Sequence, residues 1–166
     1  MKGLIINIRR GDVFFMYQAY YKSELGWIEV KGDESGISSI LFVEQNQEDV
    51  SHPIVEQCIV ELDEYFHKKR TEFTVPLQAD GTPFQKQVWN ALCSVPYGKS
   101  ASYLDIAEKI GNPKAVRAIG GANSRNPLSI IVPCHRIIGK SGKLVGYEGG
   151  LWRKEWLLKH EGFLDN

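Results

Sequence analysis

The chain of 166 residues has little cysteine, no long apolar run and no net charge, and each shortage removes a class of protein. Its three cysteines, Cys58, Cys93 and Cys134, are widely spaced, form no CxxC pair and leave one over. Neither a disulfide framework nor a cysteine zinc site follows from that pattern, so any cysteine that matters acts as a thiol. Nowhere do about 18 apolar residues follow one another, and the opening MKGLIINIRRGDVFF has no apolar core of signal-peptide length before a cleavage site. A soluble, cytoplasmic protein with no membrane partner is expected. There is no internal repeat and no phosphate loop, since Gly149-Gly150 is too little to make one.

Lys and Arg total 20, as do Asp and Glu, which at face value argues against a nucleic-acid partner. The balance is an average of opposites. Residues 1–80 carry 8 basic and 14 acidic side chains, net −6, whereas residues 81–166 carry 12 and 6, net +6. Such asymmetry points to a nucleic-acid contact on the basic half.

The first half reads as short strands at residues 4–8, 13–21, 27–30 and 37–43, separated by turns at Arg10-Gly11-Asp12, 23–26 and 32–36. An antiparallel meander is predicted. A helix opened by Ser51 and Pro53 follows, with Val55, Ile59, Leu62 and Phe66 on one face and Glu56, Glu61, Asp63 and Glu64 on the others. His67-Lys68-Lys69-Arg70 falls where its last turn would favour cations. Residues 73–77 suit one more strand, and the domain boundary is expected near residue 80, giving domains 1–79 and 80–166.

In the second half, Thr82, Pro83 and Gln85 form a capping box for a helix buried through Phe84, Val88, Trp89 and Leu92 and stopped by Pro96-Tyr97-Gly98. Ser102 and Asp105 open a second helix, which buries Leu104, Ile106, Ala107 and Ile110. Gly111-Asn112-Pro113 ends it and starts a third. Helix, short turn, helix on a basic half is the outline of a helix-turn-helix. The third helix, 113–122, is nearly bald: Ala115, Ala118, Gly120, Gly121 and Ala122 surround a single long side chain, Arg117. Major-groove readers need several long polar side chains, whereas a bald helix suits the minor groove. The other reading is that small residues allow tight helix packing and that Arg117 is solvated; the helix alone does not decide.

Ile130-Ile131-Val132 reads as a buried strand leading into Pro133-Cys134-His135-Arg136. A cysteine there is ordinarily a small core residue. His135 and Arg136 instead offer a base and a fixed positive charge, a setting that lowers a thiol pKa. On a strand these neighbours face opposite ways, so His135 would work through a water. Cys58 and Cys93 lie on helical stripes and are assigned to packing. Trp152, Trp156, Leu157 and Leu158 anchor a last helix with Gly162 as its C-cap. Glu161 then sits at the negative end of the helix dipole, at a cost of roughly 0.3–1 kcal/mol if exposed. Either His135 compensates it, completing a Cys, His, Glu relay, or Glu161 is solvated at a frayed end.

The stretch from Ile130 to Ile138 resembles the acceptor-cysteine motif of the O6-alkylguanine-DNA alkyltransferases, the methylated-DNA–protein-cysteine methyltransferases. The likeness spans residues 82–162 and includes Tyr97-Gly98, Ser102-Tyr103, Ala115-Val116-Arg117-Ala118, Asn126-Pro127, Gly146-Tyr147, Gly149-Gly150 and His160-Glu161-Gly162. The fold that the resemblance implies is α/β (α+β) in two small domains. These are an N-terminal ribonuclease-H-like sheet plus helix and a C-terminal helical, winged helix-turn-helix domain.

The resemblance also implies an activity: the thiolate of Cys134 takes the alkyl group from O6 of guanine, or less readily O4 of thymine, in one irreversible step. His135 is then the base acting through a water and Glu161 its orienting carboxylate. Arg117 replaces the extruded nucleotide, and Tyr103 helps rotate the phosphate and donates a proton toward guanine, because the reacting carbon is out of reach inside the stack. Ala115, Ala118 and Arg136 fall among the DNA contacts, Asn126 is the hinge to the active-site segment, and Tyr147 lines the base pocket. Glu148 departs from the small residue of some members and bears on which alkyl groups fit. The implied partner is double-stranded DNA containing O6-alkylguanine, met by a monomer without obligate protein partner or cofactor. Zinc ligands found in one member's first half have no counterpart among Cys58, His52 and His67, so no metal is expected. Cys134 separates the chain from the alkyltransferase-like branch that lacks it. Two other classes stay open on residues alone: a lesion-binding module without chemistry, and a cysteine hydrolase using Cys134 and His135.

Overall fold

The computed structural model describes the backbone of residues 5–9 and 12–165 and the side chains of residues 16–165; the predicted turn residues Arg10-Gly11 lie outside them. The chain forms two compact units, Met1–Asp80 and Gly81–Asn166.

In the first unit, β1 (Ile5–Arg9), β2 (Asp12–Ser23), β3 (Gly26–Asp33) and β4 (Gly36–Val43) form an antiparallel sheet in chain order, the predicted meander. Ala19 pairs with Val30 and Val30 with Ile40, a row of apolar side chains on one buried face. Helix α1 (Pro53–Phe66) covers the sheet and buries Val55, Cys58, Leu62 and Tyr65. Its cap is His52 rather than Ser51: the His52 ring Nδ1 accepts from the Ile54 N–H at 3.2 Å, while the Ser51 hydroxyl bonds Glu56. The helix ends at Phe66, so the basic run lies beyond its last turn, where Lys68 adopts φ 59° and Arg70 turns back toward Glu64 at 3.5 Å.

Two further expectations for this unit are corrected. Residues 73–77 are not a strand; they make one parallel bridge, in which Ile37 donates to Pro76 O at 2.8 Å and accepts from the Gln78 N–H at 2.7 Å. Pro76 has no N–H with which to continue a ladder. Glu61 is not on a polar face but buried, accepting from Gln57 Nε2 at 2.7 Å, the Thr74 N–H at 2.7 Å and the Val75 N–H at 3.2 Å. Burial pushes its pKa up, but these hydrogen bonds outweigh it and leave the carboxyl below its ordinary range.

The second unit is helical. α2 (Pro83–Leu92) carries the predicted Thr82–Gln85 capping box, and α3 (Tyr103–Lys109) opens on Ser102 and Asp105 as expected, the two forming a second such box. α4 (Val116–Ser124) begins three residues later than expected, because the chain turns first, with the Ala115 N–H on Asn112 O at 3.0 Å. Trp89 ties α2 to α4 by donating Nε1–H to Ala122 O at 2.9 Å. Cys93 is exposed at the end of α2 rather than packed. Residues 130–132 form a turn, not a strand, and Ile130 has φ 72°, a strained value for a β-branched residue. Their apolar character reflects burial alone.

α5 (Leu151–His160) closes the unit and buries Lys154, Leu157 and Leu158. Trp152 is 56% exposed rather than an anchor, its ring under the Arg153 guanidinium at 4.5 Å. The helix ends in a Schellman motif: the Phe163 N–H bonds Leu158 O at 2.9 Å and the Gly162 N–H bonds Lys159 O at 3.0 Å. Glu161 is therefore the C-cap, and Gly162, at φ 79°, is the left-handed residue after it. Among the described residues no helix is long and apolar enough to cross a membrane.

Candidate active site

Asn126, just past α4, shapes the approach to Cys134. Its Oδ1 accepts from the Leu128 N–H at 2.9 Å and its Nδ2 donates to Val132 O at 2.9 Å, closing the 126–132 loop on one buried amide. The chain then enters a single 3-10 turn, Cys134–Arg136. Successive side chains of such a turn point about 120° apart, so Cys134, His135 and Arg136 face three directions instead of the two of a strand.

His135 is fully buried and lies 2.8 Å from Glu161. A carboxylate can only accept, so His135 donates Nε2–H and leaves Nδ1 as the bare lone pair. Nδ1 is buried and has no hydrogen-bond partner among the described residues. Arg136 grips the same carboxylate with Nε at 2.8 Å and Nη2 at 3.0 Å, and gives Nη1 to Val95 O at 2.7 Å. Glu161 is thus neither solvated nor frayed. Burial alone would raise its pKa; His135 and Arg136 more than reverse that and hold the carboxyl well below its usual range. Burial pushes the His135 imidazole down, outweighing the upward pull of Glu161, and so favours the neutral ring.

Arg136, expected among the DNA contacts, is corrected by this geometry: it is buried, with its guanidinium spent on Glu161 and Val95. Burial raises the Cys134 pKa, against a hydrogen bond from Asn126 and the charge of Lys154, so the resting side chain is a protonated thiol. Lys154 is the group that sequence reasoning missed. Fully buried, its Nζ donates to Ile137 O, to Val145 O at 2.6 Å and to Gly146 O at 3.4 Å. Burial lowers it to about 8. Its signal in the sequence was position: it precedes Leu157 and Leu158 by three and four residues, on the buried stripe of its helix.

A pocket of about 300 Å³ opens on Cys134. α3 contributes Tyr103, and α4 contributes Gly120, Asn123 and Ser124; the loop held by Lys154 contributes Gly146, Tyr147 and Glu148. Burial raises both tyrosines above their ordinary pKa, Tyr147 strongly. Arg117 and Ala118 are exposed on α4 and Ala115 is half-buried at its start. The structure therefore brings Cys134, His135, Glu161, Asn126, Tyr103, Tyr147 and Glu148 into one neighbourhood and leaves Arg117 on the neighbouring helix surface. Among the described residues no group of three His, Cys, Asp or Glu could hold a metal ion.

Residues 83–163 match the 6-O-methylguanine DNA methyltransferase DNA binding domain, and residues 16–79 match the ribonuclease-like domain of the same family. A methylated-DNA–protein-cysteine methyltransferase of Methanosarcina acetivorans is 47% identical over 154 residues, 89% of this chain and 99% of its own length. The crystal structure of Mycobacterium tuberculosis O6-methylguanine methyltransferase is 42% identical and superposes with a TM-score of 0.79 over 88% of this chain and 92% of that one. A structure of the M. tuberculosis protein in complex with DNA is 43% identical, with a TM-score of 0.78 over 86% and 90%. Both units are covered by these matches, and the chain belongs to the 6-O-methylguanine DNA methyltransferase family.

Proposed function

We propose that this protein repairs alkylated DNA by direct reversal. The thiol of Cys134 loses its proton through a water to Nδ1 of His135, and the sulfur attacks the alkyl carbon on O6 of guanine, or less readily O4 of thymine. The S–C bond forms as the C–O6 bond breaks; the bond's electrons pass to the base, which takes up a proton supplied by Tyr103, and the proton gained by His135 balances the one Tyr103 gives up, both groups then re-equilibrating with water. The thioether is not reversed, so each molecule acts once, without a cofactor. Glu161 fixes the tautomer that leaves Nδ1 free to accept, and Arg136 holds Glu161. Because the resting thiol is protonated, removal of that proton belongs to the reaction itself.

The observation that carries this reading is the buried His135–Glu161–Arg136 cluster beside a cysteine that opens into a nucleobase-sized pocket. The surface of α4 supports the DNA half of it. A Cβ added at Gly121 would meet nothing within 4 Å, and one at Gly120 would only reach Tyr103 at 4.0 Å, so these glycines are not needed for packing within the chain. Their smallness suits close approach to a minor groove, with Arg117 filling the space of the base rotated into the pocket. The partner is duplex DNA, met by a monomer in the cytoplasm. Domains 1–79 and 80–166 divide the work, the second carrying DNA contact and chemistry.

Intact-mass measurement after mixing with a duplex containing O6-methylguanine tests the reading. A stoichiometric gain of one CH2 mapped to Cys134, absent in Cys134→Ala, is expected. No gain by folded protein that still binds the lesion would leave a binding module, and repeated turnover would indicate a hydrolase.

A further inference from the structure

Glu148 is the one carboxylate among the described residues lining the pocket, and no Lys or Arg lines it. Lys154, the buried cation whose charge acts on the Cys134 thiol, does not line the pocket; its ammonium is held by the carbonyls of Ile137, Val145 and Gly146. Glu148 itself forms no ion pair with another described residue, and its charge is felt at the thiol, where it opposes ionisation. The remaining lining groups are neutral: two tyrosines with raised pKa, two glycines, an amide and a hydroxyl. At the sulfur itself the Lys154 charge outweighs that of Glu148, but on the pocket's lining Glu148 is the one charged side chain among the described residues.

Resting on the alkyl-transfer reading, we propose that Glu148 sets a charge preference for the transferred group, admitting neutral and cationic alkyl groups and disfavouring those that bear a carboxylate. In transfer the alkyl carbon lies between O6 and the Cys134 sulfur, so a carboxylate one bond beyond it enters the space that Glu148 borders. Glu148 is solvent-exposed, so its repulsion of a like charge on the alkyl group is screened and slows the reaction about two- to fivefold. The chemistry is otherwise that of methyl transfer: the S–C bond forms, the C–O6 bond breaks, and the thiol proton leaves through His135.

The test compares single-turnover rates on duplexes carrying O6-carbamoylmethylguanine and O6-carboxymethylguanine, which match in size and differ in charge, with O6-methylguanine as reference. Wild type is expected to react about two- to fivefold faster with the carbamoylmethyl adduct, and the ratio is expected to fall in Glu148→Gln and to shrink with added salt. Because each ratio is taken within one protein, a general change in the variant's rate does not enter. Equal ratios in wild type and Glu148→Gln, or no discrimination by wild type, overturn the charge preference while methyl transfer stands. Failure of methyl transfer itself overturns the alkyl-transfer reading.

Discussion

Glu161 carries more than its position suggested, since it serves two buried cation-forming side chains at once. Its pKa is depressed in the fold and lies near about 4.3 in the unfolded chain, so its contribution is present above that value and drains away as pH falls below it. Breaking such a pair costs on the order of 3–5 kcal/mol. Denaturant titrations of wild type should therefore lose stability as pH falls from about 5, with the loss continuing below about 3. Glu161→Gln should start lower and change less; parallel curves would contradict the assignment. For Lys154→Met, three carbonyls lose a donor, and cleavage within residues 138–150 under limited proteolysis should rise severalfold while the helices stay intact. Of this cluster the sequence displayed Cys134, His135 and Glu161, because spacing and the helix-dipole anomaly mark them. It did not display that Arg136 turns inward, which depends on a 3-10 turn following a β-branched run that reads as a strand, or that Lys154 is the cation acting on the thiol, which depends on carbonyls distant in the chain.

At the scale of elements, the capped starts of α2 and α3 were legible because a short side-chain code settles them locally. The start of α4 was not, for Ala115 offers no capping side chain. Nor was the bridge at Leu77, which depends on Ile37 forty residues earlier. The bald face of α4 yields a paired expectation. Gly121→Ala meets no neighbour and should hold or raise stability by up to about 1 kcal/mol, whereas Gly121→Glu should weaken duplex binding by tenfold or more with the fold unchanged. A destabilised Gly121→Ala would return the small residues to a packing role. Arg117→Ala should slow reaction with duplex lesions far more than with free O6-benzylguanine, since only the duplex requires flipping; equal losses measured in single-turnover assays would count against that role.

For the molecule as a whole, a zero total charge conceals a basic half of net +6, so duplex affinity should fall with salt along a straight log–log line, measured by anisotropy; a flat line would exclude phosphate contact. The three cysteines give a different kind of reading. Cys93 is exposed, Cys134 lies just inside the pocket, and Cys58 is sealed on the buried face of α1 with its thiol pushed up to about 12 by burial. A slow thiol reagent thus meets them at three depths: Cys93 at once, Cys134 when the pocket admits it, and Cys58 only when the first unit opens. Repair would silence the middle signal alone. In protein already alkylated at Cys134, the delay before Cys58 responds is a clock for the opening of the Met1–Asp80 unit, started and read without any added label.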